Sequence, residues 1–241
     1  MRRRAAIGAA ALAVALAGCG GGDEPPPPGA SSAAPGGAPA APAARPVRFP
    51  GPDGSALAGV YRPAGEAAPA IVLVNGLVGG PGQWEPFAPY LHAAGFATLA
   101  YGGRAGVDER ASVDEVAAAL AFLRGRRDVD ARRLAVVGSS VGATAAVLAM
   151  TGPAGRRVRA AVALSPLGRP VFARLRAQHR YRPRAVLFLS DQRERKSAMA
   201  LARGAVGSRT VVSEAVGHGV ALLEVEANRR AVLDWLARRL G

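Results

Sequence analysis

The chain has 241 residues, a formal net charge of +14 and one cysteine among 31 glycines and 19 prolines. One cysteine excludes an intramolecular disulfide, and the length allows a single domain with a substantial core. Thirty of the 31 basic residues are arginine. Beside so much Ala, Gly and Pro, that charge reads as the coding bias of a GC-rich genome, and no nucleic-acid partner is expected.

The N-terminus comes first. Met1-Arg2-Arg3-Arg4 is a positive n-region, residues 5–16 are an Ala-rich apolar h-region, and Leu16-Ala17-Gly18-Cys19 closes with small residues. Residues 1–18 therefore read as an export signal, too short for a spanning helix. The Leu-Ala-Gly-Cys ending resembles the lipobox of bacterial lipoproteins. That resemblance implies lipidation of Cys19 and an exported protein anchored to the outer face of the cytoplasmic membrane or on the periplasmic side. Residues 19–46, with Pro25 to Pro28 in one run, have too few large apolar groups to offset their ordering entropy and read as a disordered tether. The folded domain is expected over residues 47–241.

Within it, residues 47–49 and 56–61 flank the turn cluster Pro50-Gly51-Pro52-Asp53-Gly54 and predict a hairpin at a sheet edge. The apolar run at 70–75 suits a strand covered on both faces, followed by a glycine-rich loop, a helix over 84–94 and a strand over 96–101. A helix over 113–125 places Val113, Val116, Leu120 and Leu123 on one face. A strand over 134–138 then runs into Gly-Ser-Ser-Val-Gly and an Ala-rich helix over 141–150. Strands follow at 158–164, 185–189 and 209–212, with a closing helix over 222–240. This alternation predicts a doubly wound, mainly parallel α/β sheet with helices on both faces. Between residues 164 and 185 there is room for one helix but not for a cap domain.

Gly138-Ser139-Ser140-Val141-Gly142 matches Gly-x-Ser-x-Gly between a buried strand and a helix. Such a junction leaves Ser140 projecting from a tight turn, and the flanking glycines remove the Cβ atoms that would clash there. The helix N-terminus then favours a developing negative charge. Without a reactive site, the same residues would be a Gly/Ser turn of some other α/β protein.

The segments FPGPDGSALAGVYRP, IVLVNGLVG, GFATLAYGGRAG, VDEVAAALAFLRGRRDVDARRLAVVGSSVGA, RAVLFLSDQRE and GHGVALLE occur in that order across the domain. Together they resemble the α/β-hydrolases of the compact, dienelactone-hydrolase-like kind. The resemblance places Ser140 as nucleophile and implies the chain order nucleophile, acid, histidine. His218, in Gly217-His218-Gly219, stands where that family carries its base. His179 lies among arginines as a surface residue, and His92 precedes the nucleophile. Residues 131–190 contain no Asp or Glu, so the acid must come after the strand at 185–189. Both Glu194 and Asp191 qualify: position favours Glu194, and residue type favours Asp191.

The oxyanion hole would use the N–H of Val141 and, by resemblance, that of Leu77. Asn75 stands where relatives often carry His, and Gly102 where they often carry Asp. The implied activity is hydrolysis of a carboxylic ester, thioester or related acyl bond on a small-molecule substrate, with no metal and no organic cofactor. The alternative is a non-catalytic binding or scaffold lipoprotein at the cell surface. The carboxylate-free stretch also holds eleven arginines, Arg174 and Arg176 among them. It reads first as a solvated basic face, and second as a face for anionic lipid headgroups or acidic substrates.

Overall fold

Strands β1 (Arg45–Pro50) and β2 (Ala56–Arg62) pair antiparallel around the turn that Gly54 closes with a positive φ of 78°. The computed structural model describes residues 43–103 and 109–241. The export signal, Cys19 and nearly all of the tether lie outside the described residues, as do Arg104, Ala105 and Gly106. The tether's expected end is too late: Arg45 and Pro46 already pair with Tyr61 and Val60. Pro46 is tolerated because β1 is an edge strand with one open side.

Six further strands complete the sheet: β3 (Ala68–Val74), β4 (Ala97–Tyr101), β5 (Val129–Ser139), β6 (Ala160–Leu164), β7 (Val186–Asp191) and β8 (Arg209–Ser213). Their order is β1-β2-β4-β3-β5-β6-β7-β8, and every pairing beyond the β1–β2 and β2–β4 contacts is parallel. The doubly wound architecture stands as the alternation of apolar runs implies.

Both faces are packed. Successive side chains of β3 point opposite ways. Val72 and Val74 meet Leu99, Leu120, Val136 and Phe188 beneath helices α2 (Glu109–Arg124) and α3 (Val141–Ala149). Ile71 and Leu73 meet Trp84, Leu91, Val162, Leu187 and Trp235 on the other side. Of these, Leu91 comes from α1 (Ala88–Ala93) and Trp235 from α6 (Glu226–Leu240).

Several boundaries differ from the expected ones. The helix expected over 84–94 is a 3₁₀ turn at Pro81–Trp84 followed by the short α1. Pro86 and Pro89 lack the N–H that a continuous helix would need. The closing helix is divided at Val225, which sits in extended conformation between a 3₁₀ segment (Gly219–Glu224) and α6. β5 begins at Val129, five residues early, because Val129 pairs with Ala68 before the ladder shifts to Leu134 and Ala70. Between β6 and β7 lies one helix, α4 (Pro170–Ala177), with no cap domain. Helix α5 (Arg195–Ala202) was not expected: its buried face is only Ala198 and Leu201 within a charged segment.

Because the central strands are parallel, their C-terminal ends share one edge. That edge collects Asn75 after β3, Ser140 after β5, Ser165 after β6, Asp191 and Glu194 at the end of β7, and His218 after β8. Crevices outside the carboxyl ends of strands are where open α/β sheets bind ligands.

Candidate active site

The site is built on the turn from β5 into α3. Ser140 is held at φ 55° and ψ −114°, a region that L-residues rarely adopt, and its N–H donates to Leu164 O at 2.8 Å. Such backbone strain concentrates at functional sites. A Cβ on Gly138 would overlap the backbone of Gly142, and one on Gly142 would overlap the carbonyl oxygens of Val74 and Asn75. The motif's two glycines are therefore required by main-chain packing, and α3 starts directly against the end of β3. Helix N-termini leave their first N–H groups without intrahelical acceptors, and Val141 N–H is one of these.

The glycine-rich loop after β3 is adjacent: a Cβ on Gly76 would lie 3.5 Å from Ser140 Cβ. Gln83, two residues beyond Pro81, holds this loop. Its Oε1 accepts from Gly76 N–H at 3.3 Å, and its Nε2 donates to the carbonyls of Gly80 at 3.0 Å and Val78 at 3.4 Å. Leu77 lies between those anchor points and is largely exposed. Asn75 is buried, with Nδ2 donating to Gly76 O at 3.0 Å while its Oδ1 finds no partner among the described residues. Sequence reasoning missed Gln83, whose only signal is a polar residue inside a Gly/Pro loop.

The histidine comes from the far side of the edge. A Cβ on Gly219 would overlap Ser139 Oγ, and Gly219 takes a φ of 59°. The residue after His218 thus lies against the residue before Ser140. Ser165, itself at φ 52° and fully buried, accepts the Gly219 N–H at 2.9 Å. Buried Asn228 of α6 donates to Ser213 Oγ and to Leu222 O, both at 2.9 Å, and so fixes the ends of the loop. Neither Ser165 nor Asn228 was singled out from the sequence.

The two candidate carboxylates have different surroundings. Glu194 Oε1 lies 2.6 Å from His218 Nδ1, with the His218 side chain about half exposed (49%). Among the described residues, that is the hydrogen bond the imidazole makes. Asp191 is buried at the end of β7, where it accepts from Arg193 Nε at 2.8 Å, Glu194 N–H at 3.0 Å and Gly217 N–H at 3.4 Å. Burial works to raise the Asp191 pKa, but these hydrogen bonds and the Arg193 charge together hold it below the ordinary carboxylate value. Asp191 thereby ties the turn carrying Glu194 to the loop carrying His218. His92 lies on α1, and His179 closes α4 with a left-handed backbone (φ 54°).

The geometry can do acyl-transfer chemistry. A ring that donates Nδ1–H to a carboxylate carries its lone pair on Nε2, the atom a general base uses.

Solved structures share this arrangement of strands and helices. The chain superimposes on a dienelactone hydrolase from Anabaena variabilis with a TM-score of 0.70 and 17% identity, covering 83% of this chain and 99% of that one. The carboxylesterase EstE1 from a metagenomic library gives 0.68 at 15% identity (83% and 90% covered), and an esterase of Pyrococcus furiosus gives 0.66 at 16% (83% and 92%). The fold is that of the α/β-hydrolases. No protein-family profile matches the chain. Uncharacterized proteins from two strains of Mycobacterium tuberculosis are 36% identical over 114 residues, a span that is 44% of this chain and 41% of each relative. The chain thus matches less than half the length of those curated relatives.

In this α/β-hydrolase fold the loop after β3 depends on Gln83, which yields a first prediction. On the hydrolase reading proposed below, Gln83→Leu is expected to lower kcat for ester hydrolysis by roughly ten- to a hundredfold, because a displaced N–H donor at the site would weaken transition-state stabilisation. KM should change far less, and the thermal unfolding midpoint should hold. Steady-state kinetics beside a melting curve checks it.

Proposed function

We propose that the protein is a serine hydrolase that cleaves a carboxylic ester or related acyl bond. The observation that carries this reading is the 2.6 Å Glu194–His218 pair on a loop packed against Ser139, beside the strained Ser140. Serine needs an adjacent base, and that base needs an orienting group.

In this mechanism Ser140 Oγ attacks the acyl carbon and passes its proton to His218 Nε2. The N–H groups of Val141 and Leu77 receive the oxyanion, where preorganised donors stabilise charge without reorganising. Glu194 steadies the imidazolium. Collapse of the tetrahedral intermediate expels the alcohol, protonated by His218, and water activated by the same imidazole then releases the acid and restores Ser140. The reaction needs no further group.

Beside this edge a cavity of about 390 Å³ is lined by Gln83, Phe87, Tyr90, Val220 and Leu223. It shares Gln83 with the loop after β3, and Val220 follows His218-Gly219. Its size suits a small acyl or alcohol group, and with no cap over the site it favours small or surface-presented substrates. The lipobox-like Cys19 supports an exported, membrane-anchored enzyme.

The test is pre-steady-state hydrolysis of p-nitrophenyl esters of increasing acyl length. A burst approaching one nitrophenol per protein, largest for short chains, is the expected result. Release no faster than the uncatalysed rate, and the same with Ser140→Ala, would instead leave a non-catalytic scaffold or binding protein.

A further inference from the structure

A second cavity, of about 570 Å³, lies at the other end of the sheet, where the parallel strands begin. Arg156 reaches it from the 3₁₀ turn Ala154–Arg157, Arg159 from just before β6, Arg184 from just before β7 and Arg239 from near the end of α6. Met150, Val158 and Val206 supply apolar wall. The nine-residue α3 separates this end from Ser140 by about 13 Å of helix. The stretch without carboxylates accounts for its character: three of the four arginines belong to residues 131–190.

The four groups are arranged for a ligand. Arg159 Nε donates to Arg132 O at 3.0 Å, and Arg239 Nη2 donates to Gly207 O at 2.9 Å while its guanidinium sits 4.4 Å over the Trp235 ring. Both are fixed by backbone carbonyls, with N–H groups to spare. Arg156 and Arg184 are exposed, and among the described residues their guanidinium groups make no hydrogen bond. Among the described residues, none of the four pairs with a carboxylate; the ion pairs fall on other arginines. A merely solvated basic face would spread its charges apart, since like charges brought together repel. Here four separate segments bring them to the lining of one concavity, where an anion from outside would meet several guanidinium groups at once. Planar guanidinium forks match phosphate oxygens in pairs, and the volume exceeds what a single ion fills.

We propose that this cavity binds a phosphate-bearing anion of two or more negative charges, at a site separate from Ser140. The same chemistry is offered by a soluble phosphorylated molecule and by the headgroup of an anionic lipid.

Inorganic pyrophosphate, titrated calorimetrically into the full chain, and sedimentation with phosphatidylglycerol vesicles against phosphatidylcholine vesicles, provide the two arms. The parent should bind pyrophosphate and melt at a higher temperature in its presence, because a ligand bound only by the folded state stabilises it. R156Q/R184Q should weaken binding at least about tenfold, the loss of several charge-assisted hydrogen bonds, and should leave ester hydrolysis unchanged. R156K/R184K, which keeps the charge but loses the forks, should weaken it as well. Arginine-dependent pyrophosphate binding without vesicle binding supports a soluble ligand, and arginine-dependent binding to phosphatidylglycerol vesicles supports a headgroup. If the parent binds neither probe, or if R156Q/R184Q or R156K/R184K binds as the parent does, the proposal is overturned.

Discussion

Ser140→Ala is expected to reduce kcat/KM for an activated ester by about 10⁴- to 10⁶-fold, the loss seen when a nucleophile is removed from a triad that acts as a unit. The protein should remain folded. Ser140 sits at φ 55° with its backbone N–H bonded to Leu164 O. Alanine keeps both the Cβ and that bond, so the strain of the turn is unchanged. What remains after the substitution is whatever the N–H groups of Val141 and Leu77 do for bound substrate with water as nucleophile. Kinetics with both proteins, paired with thermal melting, reads the two effects apart. A variant that melts like the parent and hydrolyses within tenfold of it would show that Ser140 is not the nucleophile.

The second large effect separates the two carboxylates. Glu194→Gln is expected to lower kcat by about 10² to 10⁴, because a neutral amide can hold the imidazole in the wrong tautomer and does not stabilise its protonated form. Asp191→Asn should lower kcat at least about tenfold less than this, since Asp191 touches Arg193 and two backbone N–H groups and not the imidazole. Its effect belongs to stability. The folded Asp191 pKa lies below the ordinary carboxylate value near 3.9, so its contribution is fully present above that value and is lost as pH falls through the lowered one. Asp191→Asn should therefore unfold more readily than the parent at neutral pH, and the difference should shrink on acidification below about pH 4. Denaturant melts at several pH values measure it. If Asp191→Asn is the greater loss in kcat, the roles are reversed.

The fold was readable because its strongest signals are local. The apolar runs at 70–74, 134–138 and 185–189, which lie in β3, β5 and β7, have no polar residue to place on a solvent face, as strands covered on both sides require. Gly138-Ser139-Ser140-Val141-Gly142 was legible for a similar reason: main-chain clashes dictate glycine at both ends of the turn. What was not legible depends on contacts distant in sequence. Gln83 matters through hydrogen bonds to Gly76 and Gly80 that only the folded loop makes, and Ser165 through the Gly219 N–H, 54 residues away. Asp191 and Glu194 are three residues apart, and no spacing rule tells that the first faces the backbone while the second reaches His218. Helix α5 was hidden because it is only eight residues long and polar on average, so its amphipathic pattern, with Ala198 and Leu201 buried, spans barely two turns. The four arginines at the far end of the sheet appeared in sequence only as an excess of charge, and their convergence needed the strand order.

The most direct test is covalent. The full chain, exposed to a fluorophosphonate probe and digested for peptide mass spectrometry, should carry the label on Ser140 at close to one per molecule. Labelling should fall to background in His218→Ala, where the serine loses its base. A protein that stays unlabelled, or that carries the probe on another residue with Ser140 untouched, would contradict the assignment of this edge of the sheet as a hydrolase site.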